Sequence, residues 1–469
     1  MSTRRYELLS AAMLGFGHLC IMVGYDSESF VLESVIHSIH ERTPEVISKY
    51  AGYYGQAVMY IVYMIGCLFS PSILNELGSK SILVCSAVCF AAFPLGFLFT
   101  NTYYYYFSQM LLGLGYALYY QGHGGYLTSH STRKSIESNV SIAWSVGCLC
   151  LVLGAGILAG ITSLTAAKEM GIQPNVTNLT QITESETQFE RRFSDTEINL
   201  LFGAFFAAGV LGIVNFIVIP GKDVTNCIQE TKKKGNFFDI FKVTCIALIS
   251  PKMLQLLPLF TLLGVSSSFW LSIFSTAMNF TIHNSNLIYL PAVYSLGIGI
   301  GEVFMGLLIT QLTRRFKDFS LQPSMTIGCV FTIISLGLVH SSTPYDAPIR
   351  PTLNEPPVFY HSYLLILILG LLIGIGDCCL NSSRSVICAL AMPNKRAQAF
   401  SISKLYQAFG SCILFFLSPI IPLYVYTVGI SVLCLVATVF FFSIARKTQN
   451  MEQKLTFSEL EKEKEKNFQ

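Results

Sequence analysis

The chain is poor in charge. Asp, Glu, Lys and Arg make up 12% of its 469 residues, against about 25% in soluble domains. Apolar residues reach 52%, so the class is a polytopic membrane protein, and helices are counted rather than soluble domains. The net charge of +3, with no basic stripe interleaved with aromatics, excludes a nucleic-acid partner. No Cys-x-x-Cys pair has a partner pair. Of the 14 cysteines, all but Cys227 lie in apolar segments and read as small apolar residues rather than as a disulfide or metal framework. The sequence also lacks a nucleophile elbow, a zinc motif and a catalytic triad. Its Gly-x-Gly stretches follow no strand and precede no Lys-Ser/Thr, so they are not nucleotide loops. Neither an enzyme nor a cofactor is expected.

Twelve apolar segments remain, each near the ~20 residues that span a bilayer. They run roughly over 8–33, 52–74, 80–100, 104–128, 139–163, 198–219, 254–277, 287–311, 322–340, 361–385, 397–417 and 424–445. The first, after Arg4 and Arg5, is too long for a cleaved signal peptide and acts as its own signal. Lys/Arg bias of the short loops places both termini in the cytoplasm. Arg133/Lys134, Lys232 to Lys234, Arg314/Arg315 and Lys395/Arg396 then fall on the inner side. The sequons at Asn175 and Asn178 fall in the outer loop 164–197, where glycosylation requires them. Asn279 is also outside, but close to the membrane, and ranks below them.

The chain therefore divides into a first six-helix half (1–219), a basic linker (220–253), a second half (254–445) and a charged tail (446–469). A faint repeat relates the halves: Leu112-Gly-Leu-Gly-Tyr116 in segment 4 aligns with Leu372-Ile-Gly-Ile-Gly-Asp377 in segment 10. Such parallel repeats of six helices characterise the major facilitator superfamily, whose sites lie between the halves. The glycine pairs Gly113/Gly115, Gly297/Gly301 and Gly370/Gly374 suit close helix approach.

A charge inside an apolar segment costs roughly 2.5–3.5 kcal/mol on insertion scales, so Glu302, Asp377 and Lys404 should face protein or water. Pairing Lys404 with one acid would leave the other free to carry a proton; a structural charge pair between helices is the competing reading. His18 and Asp26 lie eight apart on segment 1, nearly on one face, as do Asp26 and Glu33 at seven. Tyr60, Tyr63, Tyr116, Tyr119 and Tyr120 fall at helical spacing and either line a cavity or pack. Gln121 and Arg384 sit near inner helix ends, where a gate would be, and Trp144 near the start of segment 5.

Four stretches carry a family resemblance: Gly297-Ile-Gly-Ile-Gly-Glu302, Asp346-Ala-Pro-Ile349, Gly374-Ile-Gly-Asp-Cys-Cys-Leu-Asn381 and Phe400-Ser-Ile-Ser-Lys-Leu-Tyr-Gln407, supported by Gln121-Gly122 and Asn139 to Trp144. The chain resembles the Unc-93 family, a divergent branch of the major facilitator superfamily, along its whole length. The resemblance implies an all-α, twelve-helix facilitator fold with two pseudo-symmetric halves. Its precedents are a regulatory subunit of a potassium channel and an escort of innate immune receptors. They imply a non-catalytic auxiliary subunit of another membrane protein, an ion channel or receptor, at the plasma membrane, with an endomembrane as the alternative. The alternative is a secondary, proton-coupled transporter of a small solute or ion. One departure bears on the choice: ordinary facilitators carry an aspartate in the loop after helix 2, where this chain has Asn75.

Overall fold

The computed structural model describes residues 3–98, 101–132, 135–171, 193–224, 227, 235–316, 319–392 and 395–467, with the backbone alone at 137, 141, 167–171, 314 and 451–467. Asn175 and Asn178, and the basic residues Arg133, Lys134 and Lys232 to Lys234, lie outside the described residues.

The described chain is helical. The first half holds α1 (Thr3–Ser29), α2 (Leu32–Arg42), α3 (Ala51–Leu95), α4 (Thr102–Ser129), α5 (Ile136–Gly147), α6 (Leu149–Gly171) and α7 (Asp195–Val218). After α8 (Phe237–Leu248) in the connection come α9 (Pro251–Ser268), α10 (Phe274–Phe280), α11 (Leu290–Arg315), α12 (Gln322–Ser342), α13 (Tyr363–Ala391), α14 (Arg396–Leu417) and α15 (Leu423–Asn467).

Ten stretches among the described residues are long and apolar enough to cross a bilayer. One of them, 51–98, is two crossings. Gly78 inside α3 has φ 75° and ψ 161°, a conformation only glycine takes cheaply. The chain reverses there, and Phe93 returns to Tyr105, which also flanks Gly55. The twelfth crossing is α4, long enough at 28 residues but kept by its tyrosines below the hydropathy of the ten. Crossing 5 is α5 with α6, and crossing 7 is α9 with α10 joined by a π-helical turn at Phe269–Ile273. Such a turn disrupts the helical ladder, and Tyr294 donates its hydroxyl to the carbonyl of Trp270 at 3.0 Å.

Glycine contacts show the two halves to be equivalent. A Cβ on Gly113 of α4 would strike the Met59 carbonyl and stand 3.0 Å from the Tyr63 nitrogen; one on Gly374 of α13 would strike the Ile298 carbonyl and stand 2.9 Å from the Glu302 nitrogen. Crossing 4 thus seats on crossing 2 as crossing 10 seats on crossing 8, with Tyr63 and Glu302 in matching places. Gly297 against Gly370 and Gly301 against Gly374 continue the α11–α13 seam.

Two seams join the halves. On one, Ser295 of α11 donates to the Leu151 carbonyl of α6 at 2.9 Å. On the other, Ser401 of α14 lies 3.3 Å from Ser70 of α3 and bonds the Cys67 carbonyl. The end of the bundle away from the termini is sealed. There the Tyr53 hydroxyl donates to the Pro348 carbonyl at 2.8 Å, Ser275 donates to the Phe30 carbonyl at 2.6 Å, and the loop 343–362 is held by Thr352 N–H on the Phe280 carbonyl at 2.9 Å. Asp346 of the Asp-Ala-Pro-Ile motif accepts the Asn354 amide at 2.9 Å, fastening this loop to itself.

Two expectations change. Segment 1 ends at Ser29, so Glu33 lies beyond it in α2 and shares no helix with Asp26; helical spacing had counted straight through the break. Glu33 is buried and accepts the backbone N–H of Tyr53 at 2.9 Å. Asn279 is 7% exposed and donates its amide to the Phe30 carbonyl at 3.4 Å. An oligosaccharide has no room there, because the loop cover folds back over the end of α10.

Candidate functional site

The ionisable side chains of the interior fall into two groups. The acids gather on α1, α11 and α13. Asp26 accepts the Cys150 thiol at 3.4 Å. Glu302 faces the Cys148 thiol, and both Asp26 and Asp377 lie within its electrostatic reach. Asp377 accepts the Asn381 amide at 2.7 Å, one turn along its own helix. Asp377 and Glu302 stand near the middles of their helices, and Asp26 comes to them from the last turn of α1.

The bases lie nearer the termini. Lys404 of α14 is 8% exposed and its ammonium sits 3.6 Å from the centre of the Tyr120 ring. Arg384 of α13 is 6% exposed and donates to the Gln407 side chain at 2.6 Å, while its Nε has no partner. Neither cation forms an ion pair with a carboxylate among the described residues. This corrects the expected pairing of Lys404 with an acid. The turn of α14 that carries Lys404 faces α4, so the ammonium meets an aromatic ring instead, an attraction strongest where water is excluded.

The tyrosines form one continuous wall. Tyr60 stacks on Phe415 at 5.6 Å, Tyr63 lies 5.3 Å from Tyr116 and 6.5 Å from Tyr120, and Tyr119 lies 5.5 Å from Tyr120. Four of them are buried and Tyr120 is half-buried, so the wall is largely packing with one face toward the charges. His18 is buried deep in α1, with Nδ1 2.5 Å from the Tyr119 hydroxyl and its ring 5.9 Å from Trp144. It belongs to this wall and does not meet Asp26. Trp144 is 40% exposed and backs His18. Gln121 is buried on α4, one residue beyond Tyr120.

Sequence reasoning missed Gln407, which fixes Arg384, and the thiol of Cys150 as a donor to a carboxylate, with the Cys148 thiol beside Glu302. Gln407 closes the eight-residue motif that holds Lys404, which was the available signal. The thiols gave none, because a cysteine in an apolar run reads as a small apolar residue. Among the described residues no group of three His, Cys, Asp and Glu side chains is placed to hold a metal.

The family model described as "Ion channel regulatory protein UNC-93" matches residues 43–442, most of the chain. The chain belongs to the Unc-93 family. Curated relatives span the same length. The UNC93-like protein MFSD11 of Xenopus laevis is 24% identical over 440 residues, 89% of this chain and 91% of the relative. Protein unc-93 homolog A of Homo sapiens is 21% identical over 431 residues, 87% of each. Among solved structures, this Unc-93 family member superposes on the peptide transporter POT in complex with sulfate with a TM-score of 0.63 at 11% identity, covering 96% of this chain and 99% of that one. The nucleoside transporter NupG gives 0.59 at 13% identity, covering 93% and 98%. These likenesses show the major facilitator fold: an integral, multi-pass, all-α membrane protein of twelve crossings in two pseudo-symmetric halves. Family and fold are those of regulatory or transporter membrane proteins, not of enzymes.

Proposed function

We propose that this Unc-93 family member is a secondary transporter that binds a small solute between its halves, with Asp26, Glu302 and Asp377 as the groups that take a coupling proton or cation. One observation carries the reading: charged side chains from α1, α11, α13 and α14 converge inside the bundle, yet among the described residues Asp26, Glu302 and Asp377 form no ion pair with Arg384 or Lys404. A structural staple would pair them, since an unpaired interior charge is costly. The related folds carry peptides and nucleosides by their names; for this chain they supply the scaffold alone.

A second reading is favoured by the family's description and by Asn75. That residue stands where facilitators keep an aspartate, and its amide donates to the Gly235 carbonyl at 2.9 Å. A regulatory subunit that seldom changes state would tolerate this loss. Its partner would be an ion channel or receptor in the same bilayer.

The test is a thermal-shift screen of the purified protein against metabolites and ions at several pH values, beside Asp377→Asn. A ligand that stabilises the wild type and not the variant supports transport. A flat panel with a folded variant refutes it and leaves the regulatory reading, to be pursued by co-purification.

In this reading the halves 1–219 and 254–445 act as two bodies about the linker 220–253, with both termini in the cytoplasm of a plasma-membrane protein and glycans on Asn175 and Asn178. Enzymatic deglycosylation with Asn175→Gln and Asn178→Gln checks the orientation. An unchanged gel mobility in both variants would overturn it.

A further inference from the structure

The geometry points to a binding site for a small organic anion between α4, α13 and α14, built from Arg384 and Lys404 with Tyr120 as its aromatic wall. The inference rests on the solute-binding reading above and names the class of solute.

Two cations from adjacent helices are buried and lie close enough to act on one another electrostatically. Like charges placed together away from water are held there at a cost unless an anion joins them. Asp377, on the same helix, reaches both cations electrostatically but forms an ion pair with neither among the described residues. Asp377 is seven residues from Arg384 on α13, about 10 Å along the axis. Asn381 stands between them and bonds Asp377 at 2.7 Å. The donors are also only partly used. Lys404 has three N–H groups; its ammonium lies over the face of the Tyr120 ring, and among the described residues it makes no hydrogen bond to a carboxylate. Arg384 spends Nη1 on Gln407 and leaves Nε without a partner.

A guanidinium with free N–H groups beside an ammonium is the donor set for a carboxylate or phosphate group. Gln407 orients the guanidinium, and Tyr120, the half-buried ring of the wall, backed by Tyr63 at 6.5 Å, offers a flat apolar surface to the rest of the molecule. The acids lie beyond Asn381, toward the sealed end. Anion and coupling proton would therefore occupy neighbouring compartments rather than compete for one.

Three probes of one shape and different charge test this: benzoate, benzamide and benzylamine. Each is titrated calorimetrically into the full chain in phosphatidylcholine nanodiscs. Benzoate should bind saturably and the other two at least tenfold more weakly. Arg384→Gln and Lys404→Gln should each weaken benzoate at least tenfold, while Arg384→Lys, which keeps the charge, restores part of the binding and controls for folding. Inorganic phosphate as competitor tells a phosphate ligand from a carboxylate. Loss of benzoate binding in discs containing phosphatidic acid would assign the site to a lipid phosphate. Benzoate binding no tighter than benzamide, or unchanged in both glutamine variants, overturns the proposal. So does the absence of saturable binding by both benzoate and phosphate. Should benzylamine bind and Asp377→Asn abolish it, the anion site falls while the solute-binding reading stands.

Discussion

Tyr53→Phe tests what holds the sealed end shut. The Tyr53 hydroxyl of α3 donates to the Pro348 carbonyl at 2.8 Å, joining the first half to the loop cover of the second. Both residues are buried. Phenylalanine fills the same space but leaves the carbonyl without its donor, which costs roughly 1–3 kcal/mol for a buried group. In an opened state water satisfies that carbonyl, so the cost falls on the closed state alone. The population of the open cover should therefore rise about 5- to 150-fold, since each 1.4 kcal/mol is tenfold. Hydrogen exchange of the purified protein in nanodiscs reads this directly through amides such as Thr352, which donates to the Phe280 carbonyl, and Ile282, which donates to the Thr352 carbonyl. Their exchange should quicken by that factor, with the α11–α13 seam unchanged. Acceleration below twofold in a folded variant would refute the view that this bond latches the end. Equal acceleration in both regions would mean general loosening.

Three further outcomes follow from the same structure. Gly374→Ala places a methyl against the Ile298 carbonyl and 2.9 Å from the Glu302 nitrogen; with backbone on the facing side unable to yield, about 1–3 kcal/mol of overpacking is expected. It should read as a lower melting temperature, and an unchanged melt would contradict the close seam. Burial holds the His361 imidazole down at about 4 from 6.5, where Nδ1 lies 2.8 Å from the Asn284 amide and takes its hydrogen. The opened cover takes up a proton below 6.5 and the closed one does not, so protection of the loop should decline as pH falls from about 6.5 to about 4, and His361→Asn should remove that decline. Burial pushes Glu33 up to about 8 from 4.5, against the opposing bond from the Tyr53 N–H. Only the opened cover ionises it within that window, so protection should also decline as pH rises from 4.5 to about 8, and a Glu33→Gln variant showing the same decline would disprove the assignment.

What could be read in advance was whatever rests on spacing along one helix. The glycine pairs at 297/301 and 370/374 are separated by one turn on each side of a seam, and the structure puts them face to face. All twelve crossings follow from apolar length, α4 included, although its tyrosines leave it the least apolar of them. What escaped reading depends on which helix faces which. Lys404, a lone base among acids, invites pairing by charge alone, yet its partner is a ring on α4, more than 280 residues away in the chain. The break after Ser29 carries no proline or glycine, so nothing marked Glu33 as belonging to another helix. The burial of Asn279 comes from a loop some seventy residues later, closing over a site that is locally a plain sequon.

The eight tyrosines of α4 matter before the protein is ever folded. A segment of such modest apolarity partitions weakly into lipid when it leaves the ribosome alone. Its natural companion is already made: the first part of α3, against which Gly113 seats on Met59 and Tyr63. Insertion of α4 is thus a joint event of two helices, and the glycine that appears in the finished molecule as a packing detail acts during synthesis as a docking point. Gly113→Leu should therefore show itself in the cell as chains left with α4 outside the bilayer and cleared by quality control, rather than as a mature protein that melts a few degrees lower.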